Sequence, residues 1–456
     1  MKNSEELLLT GNYIKQNLNS GIFVARSKEQ EFCKKNNLIL KRLKSGSTIL
    51  GYQAKNLESN KSYVDVFFNR GSFYDPKDKP GLHQLFSINL LSTKIVELFD
   101  KDLVESSVTC DLFSTKIAFS SFYNNTNDFG IGNVLNSFIE NLQNIKFSSI
   151  KTLDESKRII ISKIIADNSD FAFGIWDAVD NVIFKKDSFY LQGIYGSPDS
   201  LLNIKNKDLN LLKKEVIQPE NTTYFIESNG VTTNNEKIVT KLTKILNNND
   251  KTSSNKTFPK NFLTQNDFAI LKDNFISRVN LQIKNSVCFY STCFEIDTSK
   301  NDFISYIVEL IKTSVFPKIF EKALQYYGLD LKNGVLVKKY LGGKTFLHFY
   351  FVAFSKNEDY YLKTLKKCIN RTIQHIKNNE AEVMELVNKY KQNINLRPKT
   401  GANNFILSKN SLFSFDYLTN SEILDEYYLK ITYKNILDFI DYSMNKKISF
   451  IVGDLE

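Results

Sequence analysis

Read by periodicity, the chain runs twice through one order of elements: paired strands, a helix, further strands, then paired helices. In the first half, 39–52 has the form of a strand, a Ser-Gly-Ser turn and a second strand. Tyr63–Phe68 (YVDVFF) is a β-branched and aromatic run that stops at Asn69-Arg70-Gly71. The turn-rich segment 75–81 (DPKDKPG) follows, and the period then changes to that of a helix. Leu82, Leu85, Phe86, Asn89, Leu90 and Thr93 keep helical spacing, which predicts a helix from Leu82 to about Leu98. Residues 108–122 alternate as a strand pair, and 132–142 and 154–165 read as helices. Ser197-Pro198 is a helix start, 207–216 is a second helix halted before Pro219, and 222–228 is a closing strand. The second half offers strands near 279–295 and 344–354, with helices at 303–327, 359–378 and 381–390. Segregated strands and helices favour an α+β fold over a parallel doubly wound sheet, here as two similar domains, each an antiparallel-rich sheet packed by helices.

A chain of 456 residues is long enough for two or three cores at ~100–200 residues per domain. The break falls in the Asn-rich stretch 229–259. The division expected is therefore an N-terminal extension over 1–36, a first domain over 37–229, a linker over 230–260 and a second domain over 261–456.

Composition removes several classes of function. The net charge of +10 comes from interspersed Lys and Asp/Glu, and basic clusters such as Lys213-Lys214 and Lys366-Lys367 are short. No recognition motif accompanies the charge, so nucleic acid is not an expected partner. Five widely spaced cysteines (Cys33, Cys110, Cys288, Cys293 and Cys368) argue against a disulfide framework and for a reducing compartment. The first residues do not read as a secretory signal, and no apolar run reaches the ~18 residues of a membrane helix, so a cytoplasmic location without a membrane partner is the expectation. Only three histidines exist, His83, His348 and His375, so an HExxH or HxxEH zinc motif has no pair to use.

The segment 69–93 (NRGSFYDPKDKPGLHQLFSINLLST) resembles the zinc-site region of the pitrilysin/insulinase family of metallopeptidases. Gly71-Ser72 and Asp75 match the family's turn, Pro80-Gly81-Leu82 its helix opening, and Leu90-Leu91-Ser92-Thr93 its closing tail. Upstream, 43–51 (LKSGSTILG) resembles the opening hairpin, and 103–119 the strand pair after the zinc helix. A second matched segment, 193–221 (GIYGSPDSLLNIKNKDLNLLKKEVIQPEN), resembles the family's Gly-Thr-x-Glu-x-Leu helix start and its Tyr-x-Pro-x-Asn approach to a strand.

The family's chemistry needs two His one helical turn apart on zinc, a Glu between them as general base, and a later Glu as third ligand. In the register set by Gly81-Leu82, the resemblance places Gln84 and Ile88 at the histidine positions and Ser87 at the base. Lys163, within 159–165, stands at the third ligand. None of these can do the family's work, so no catalytic, metal or cofactor residue is expected in this chain. His83 has Phe86 and Ser87 at i+3 and i+4, hence no metal partner on its helix, and reads as a surface or capping residue. His348, in the aromatic run 346–354, and His375, on a polar helix face, read as structural. In the second domain Gln325 falls about where the family places a substrate-steadying Arg. Lys338-Lys339-Tyr340 reads as a solvated basic turn and Gly342-Gly343 as a turn, and 295–302 lacks the glycines of the family's substrate loop.

The resemblance thus implies a non-catalytic subunit that completes the peptide chamber of a homologous, zinc-bearing partner, with peptide or leader-peptide processing as the setting. Zinc is expected in the partner. The alternative is a structural or scaffold member of the family without peptidase activity, and a third reading gives His83 a part in a novel site.

Overall fold

The computed structural model describes residues 14–54, 61–91, 104–111, 114–122, 138–139, 141–142, 144–169, 179–180, 182–185, 194–229, 239–240, 242–244, 246, 276–280, 288–297, 302–339, 344–353, 357–396, 401–444 and 448–454. Eleven strands are among them: β1 (Leu38–Arg42), β2 (Thr48–Ala54), β3 (Lys61–Phe68), β4 (Val104–Cys110), β5 (Thr115–Phe122), β6 (Thr222–Asn229), β7 (Ile276–Asn280), β8 (Cys288–Asp297), β9 (Asn333–Lys339), β10 (Lys344–Ala353) and β11 (Ile448–Asp454). The helices of the first half are α1 (Glu29–Lys35), α2 (Leu82–Leu91), α3 (Ile150–Ser169), α4 (Pro198–Asn203) and α5 (Asn206–Val216). Those of the second are α6 (Asp302–Ser314), α7 (Phe316–Tyr326), α8 (Glu358–Asn378), α9 (Glu380–Asn395), α10 (Gly401–Phe415), α11 (Ser421–Leu429) and α12 (Tyr433–Ser443).

The strands form two sheets, ordered β1-β2-β6-β3-β5-β4 and β7-β11-β8-β10-β9. Without the extra β1, both orders have the same pattern, in which the first strand pairs in parallel with the last and the other neighbours are antiparallel. The duplication seen in the sequence is therefore a duplication of topology, and the fold is α+β with two mixed sheets.

Alternation in the strands sets which face is buried. On β3, Val64 lies between Phe119 and Ile226, and Val66 between Ile117 and Tyr224, so all six side chains share one face. That face packs against Leu82, Leu85, Phe86 and Leu90 of α2, Leu153 and Ile160 of α3, and Leu209, Leu212 and Val216 of α5. Each such side chain contributes about 1.5–3 kcal/mol by leaving water, which outweighs the few tenths that helix propensity supplies per residue. The second sheet does the same with Tyr290, Phe294, Phe349 and Phe351 against α6, α7, α8 and α12.

The reverse faces are covered across the halves. Leu50, Tyr52 and Phe225 of the first sheet meet Phe405 and Leu412 of α10, with Leu418, Val24 and Cys33. On the second sheet the reverse face carries Phe289, Cys293, Phe346, His348 and Ile451, all fully buried. Lys338 of β9 crosses from that face to Asp180 of the first half, Nζ to Oδ1 2.6 Å. Residues 14–36 lie against both halves, because Glu29 pairs with Arg42 of β1 while Phe23 bridges Thr419 and Lys35 pairs with Glu422.

Several sequence expectations changed. The run 303–327 is two helices, broken before Pro317. Lys338 and Lys339 belong to β9, and with its side chain 18% exposed Lys338 is not in a solvated turn. Tyr340, Gly342 and Gly343 lie outside the described residues, as do most of 132–142 and residues 298–301. Among the described residues no helix is long and apolar enough to cross a membrane.

Candidate functional site

The site implied by the sequence centres on α2, and the turn before it fixes how that helix starts. Asp75 accepts the backbone N–H of Gly81 (2.7 Å, Oδ2) and of His83 (2.9 Å, Oδ1), which supplies acceptors for donors that a helix start leaves free. Its Oδ1 also accepts from His83 Nδ1 at 2.6 Å. A carboxylate can only accept, so His83 carries its proton on Nδ1 here, and the ring is pinned by the residue that caps its own helix. Both side chains are inaccessible to solvent, 0% and 2% exposed. The expectation of a surface histidine is thus corrected. His83 Nε2 is buried and has no hydrogen-bond partner among the described residues.

The matched segments 69–93 and 193–221 meet in space. Gly81 has φ +89° and Gly196 φ +69°, and each turn presses on the other's carbonyl. A Cβ at Gly81 would stand 2.2 Å from the Tyr195 oxygen, and one at Gly196 2.2 Å from the Pro80 oxygen. Ser200 donates its hydroxyl to that Pro80 oxygen (3.0 Å), and Ser197 and Ser200 form a capping box at the start of α4. Lys79 pairs with the buried Asp208 of α5 at 2.8 Å. Burial tends to raise the Asp208 carboxyl, but the bonds from Lys79 and the Lys205 backbone win and hold it below the usual range.

The four positions at issue lie on α2 and on α3, which packs beside it. Gln84 is buried and gives its amide to the Cys110 carbonyl at the end of β4 (2.7 Å). Ser87 is buried and gives its hydroxyl to the Gln84 carbonyl one turn back (2.8 Å). Ile88 is half-buried against the first core, the one residue of 82–90 that is not fully buried. Lys163 is exposed, its ammonium 4.9 Å from the centre of the Tyr195 ring. The structure therefore puts Gln84, Ser87 and Ile88 on one helix and Lys163 on the helix packed beside it, with the amide and hydroxyl already engaged by backbone.

The other singled-out residues lie elsewhere. Gln325 is exposed on α7. His375 meets Glu382 across the turn between α8 and α9, Nε2 to Oε2 2.7 Å, and Lys322 joins from α7 at 2.6 Å; these bonds hold the Glu382 carboxyl below its usual range. His348 is fully buried on β10, with Nε2 3.9 Å from Cys293 Sγ and Nδ1 unpartnered among the described residues. Burial pushes its pKa down to about 3, and Lys338 adds to the shift. Burial likewise pushes the Cys293 thiol up, so the pair is neutral and no nucleophile.

No protein-family model and no curated protein matches the sequence. Solved structures do match in fold. The periplasmic protease PqqL from Escherichia coli superposes with a TM-score of 0.69 at 12% identity, over 92% of this chain and 46% of PqqL, so the chain spans about half of that protein. A peptidase M16 inactive domain from Pseudomonas fluorescens gives 0.68 at 11% identity, over 92% of this chain and 98% of that one. A chain of complex III2 from Candida albicans gives 0.63 at 13%, over 91% and 95%. The chain thus has the fold of M16, or pitrilysin/insulinase, peptidases, active and inactive alike.

Zinc, which the family resemblance implies for active members, does not fit the residues present. With His83 Nδ1 held by the Asp75 carboxylate, Nε2 is the ring nitrogen left for a metal, the arrangement metal-bound histidines use. A second and third ligand are missing, since among the described residues no three His, Cys, Asp or Glu side chains come together as a metal site.

Proposed function

We propose that this chain is a non-catalytic M16-like subunit that supplies one half of a peptidase, facing a homologous half that carries the zinc. The observation that carries this reading is the state of α2: at the three motif positions the amide of Gln84 and the hydroxyl of Ser87 are spent on backbone carbonyls, and Ile88 has nothing to offer a metal. At the fourth, the Lys163 cation would repel one. The chain's correspondence to 46% of PqqL supports a role as half of a larger enclosure, and its likeness to an M16 domain described as inactive supports the loss of chemistry. In this reading the chain completes the peptide chamber and the partner hydrolyses the bond, with peptides or leader peptides as substrate.

The test combines metal analysis with peptide turnover. The purified chain is expected to hold no stoichiometric zinc and to cleave nothing. Mixed with a zinc-bearing homologue, it should form a heteromer whose activity exceeds that of the partner alone. One tightly held zinc per chain would overturn the non-catalytic reading. A partner fully active by itself, with no heteromer at micromolar concentration, would overturn the partnership. The second reading, a scaffold within a larger assembly, is favoured by the likeness to a chain of complex III2. It predicts a stable heteromer without turnover.

A further inference from the structure

The basic pair Lys366-Lys367 is short in sequence, but the fold extends it. On α8 the exposed positions are 359, 360, 363, 366, 367, 370, 371, 374 and 378, one continuous stripe of a helix whose other side is core. Lys363, Lys367 and Arg371 stand at i, i+4 and i+8 in that stripe, a straight cationic row ~12 Å long, with Lys366 beside it. Arg371 lies over the ring of Tyr326 on the neighbouring α7, 3.4 Å from its centre, and Tyr326 is itself 63% exposed. A guanidinium so held is fixed in place while remaining exposed to solvent.

The fold does not need this row. Several other lysines on these helices are paired: Lys322 with Glu382, Lys377 with Asp441 and Lys389 with Glu385. Lys363, Lys367 and Arg371 make no ion pair among the described residues. Like charges one turn apart destabilise a helix, a repulsion that an external anion would relieve.

We propose that the outer face of α8 is a docking surface for an acidic segment of a partner protein, with Lys363, Lys367 and Arg371 as its cationic row and Tyr326 as the plate that fixes the arginine. The width of the row selects the partner class. It is one helix wide, and exposed carboxylates stand on the same helix and on the neighbour packed against it, Asp359 at the start of α8 and Glu321 on α7. A membrane or a nucleic acid laid over it would meet those carboxylates with its own phosphates. An acidic peptide segment is narrow enough to follow the row, and its carboxylates match the fork of the arginine. This surface is on the helical layer of the second half and does not depend on how α2 is read.

The experiment measures anisotropy of a labelled oligoglutamate peptide with the full chain. Oligothymidylate of equal charge and phosphatidylcholine–phosphatidylserine vesicles run as the other arms. The expected result is salt-dependent binding of the peptide, weakened about tenfold or more in the triple variant Lys363→Glu, Lys367→Glu, Arg371→Glu. A second triple variant with Gln at the same positions should weaken binding in the same direction while melting like the wild type, and it decides the case if the first variant misfolds. Lys207→Glu with Lys214→Glu, exposed on α5, should leave binding unchanged. Absence of peptide binding, equal binding by the Gln variant, or tighter binding of oligothymidylate or vesicles through the same residues would each overturn the proposal.

Discussion

Two histidines, His83 read from the sequence as a surface or capping residue and His348 as structural, show how differently a buried imidazole can be held. His83 answers its cap residue Asp75, and its orientation is fixed by that bond. His348 has no such partner: its Nε2 has only the Cys293 sulfur at 3.9 Å, and its cation would have Lys338 nearby. With its pKa pushed down to about 3 from the ordinary histidine value near 6.5, it stays neutral when folded and takes up a proton when unfolded. The unfolded state then binds more protons at every pH between those values, so stability rises with pH across that window. The stability present above pH ~6.5 is lost progressively as pH falls toward 3, by an amount on the order of 4–5 kcal/mol at the acid end. His348→Leu removes the titration, while the volume change should cost about 1.5 kcal/mol or less at neutral pH. Urea unfolding from pH 4 to pH 7 should therefore show a flatter profile in His348→Leu than in the wild type. Parallel profiles would mean that other groups carry the acid sensitivity.

Between elements, the contact of the two glycine turns holds α2 against α4. Gly81→Ala would combine a left-handed backbone with a Cβ driven onto the Tyr195 carbonyl, and a cost of about 3 kcal/mol or more is expected. Gly328 gives the control: its φ is +71° but nothing stands within 4 Å of a Cβ, so Gly328→Ala should cost only about 1 kcal/mol. Equal losses in urea unfolding would show that backbone strain alone, and not the close approach, sets the cost. This contact also explains why the segments 69–93 and 193–221 were legible in the sequence. Their glycines, prolines and serines are demanded by local geometry, and local geometry leaves a short pattern. The strand 63–68, the helix 207–216 and the closing strand 222–228 were legible for a similar reason, because each has one buried face and a clear period. What remained hidden depends on distant partners. Lys338 looked like part of a turn because Asp180, which draws it in, is 158 residues away. The helix α10 carries apolar residues on several sides, and its partners Leu50, Tyr52 and Phe225 belong to the other half, so no single period marks it. His83 was misplaced although Asp75 is only eight residues before it, since spacing does not reveal that a turn will fold a carboxylate back onto a ring.

At the scale of the molecule, two kinds of contact join the halves, and their magnitudes differ. One is apolar: α10 lays Phe405 and Leu412 on the reverse face of the first sheet, where each side chain contributes about 1.5–3 kcal/mol. The other is ionic. Asp416, left-handed at φ +62° just past α10, receives Arg26 (2.5 Å) and Arg42, and both arginines also bind Glu29, at 3.1 and 2.7 Å. Burial raises the Glu29 carboxyl against the pull of Arg26, so this network already works against desolvation. Asp416→Asn keeps the side-chain shape and a residue that tolerates the left-handed backbone, and removes only the charge. Both arginines are partly exposed and keep Glu29, so the expected loss is about 1–2 kcal/mol. Since the apolar contact is larger and untouched, the halves should still unfold together. The urea midpoint should fall, with the slope and the single transition retained, when circular dichroism is followed across the unfolding range. Two separated transitions in Asp416→Asn would instead place the coupling of the halves in the ionic network, and α10 would then be a cover for the sheet and not the join.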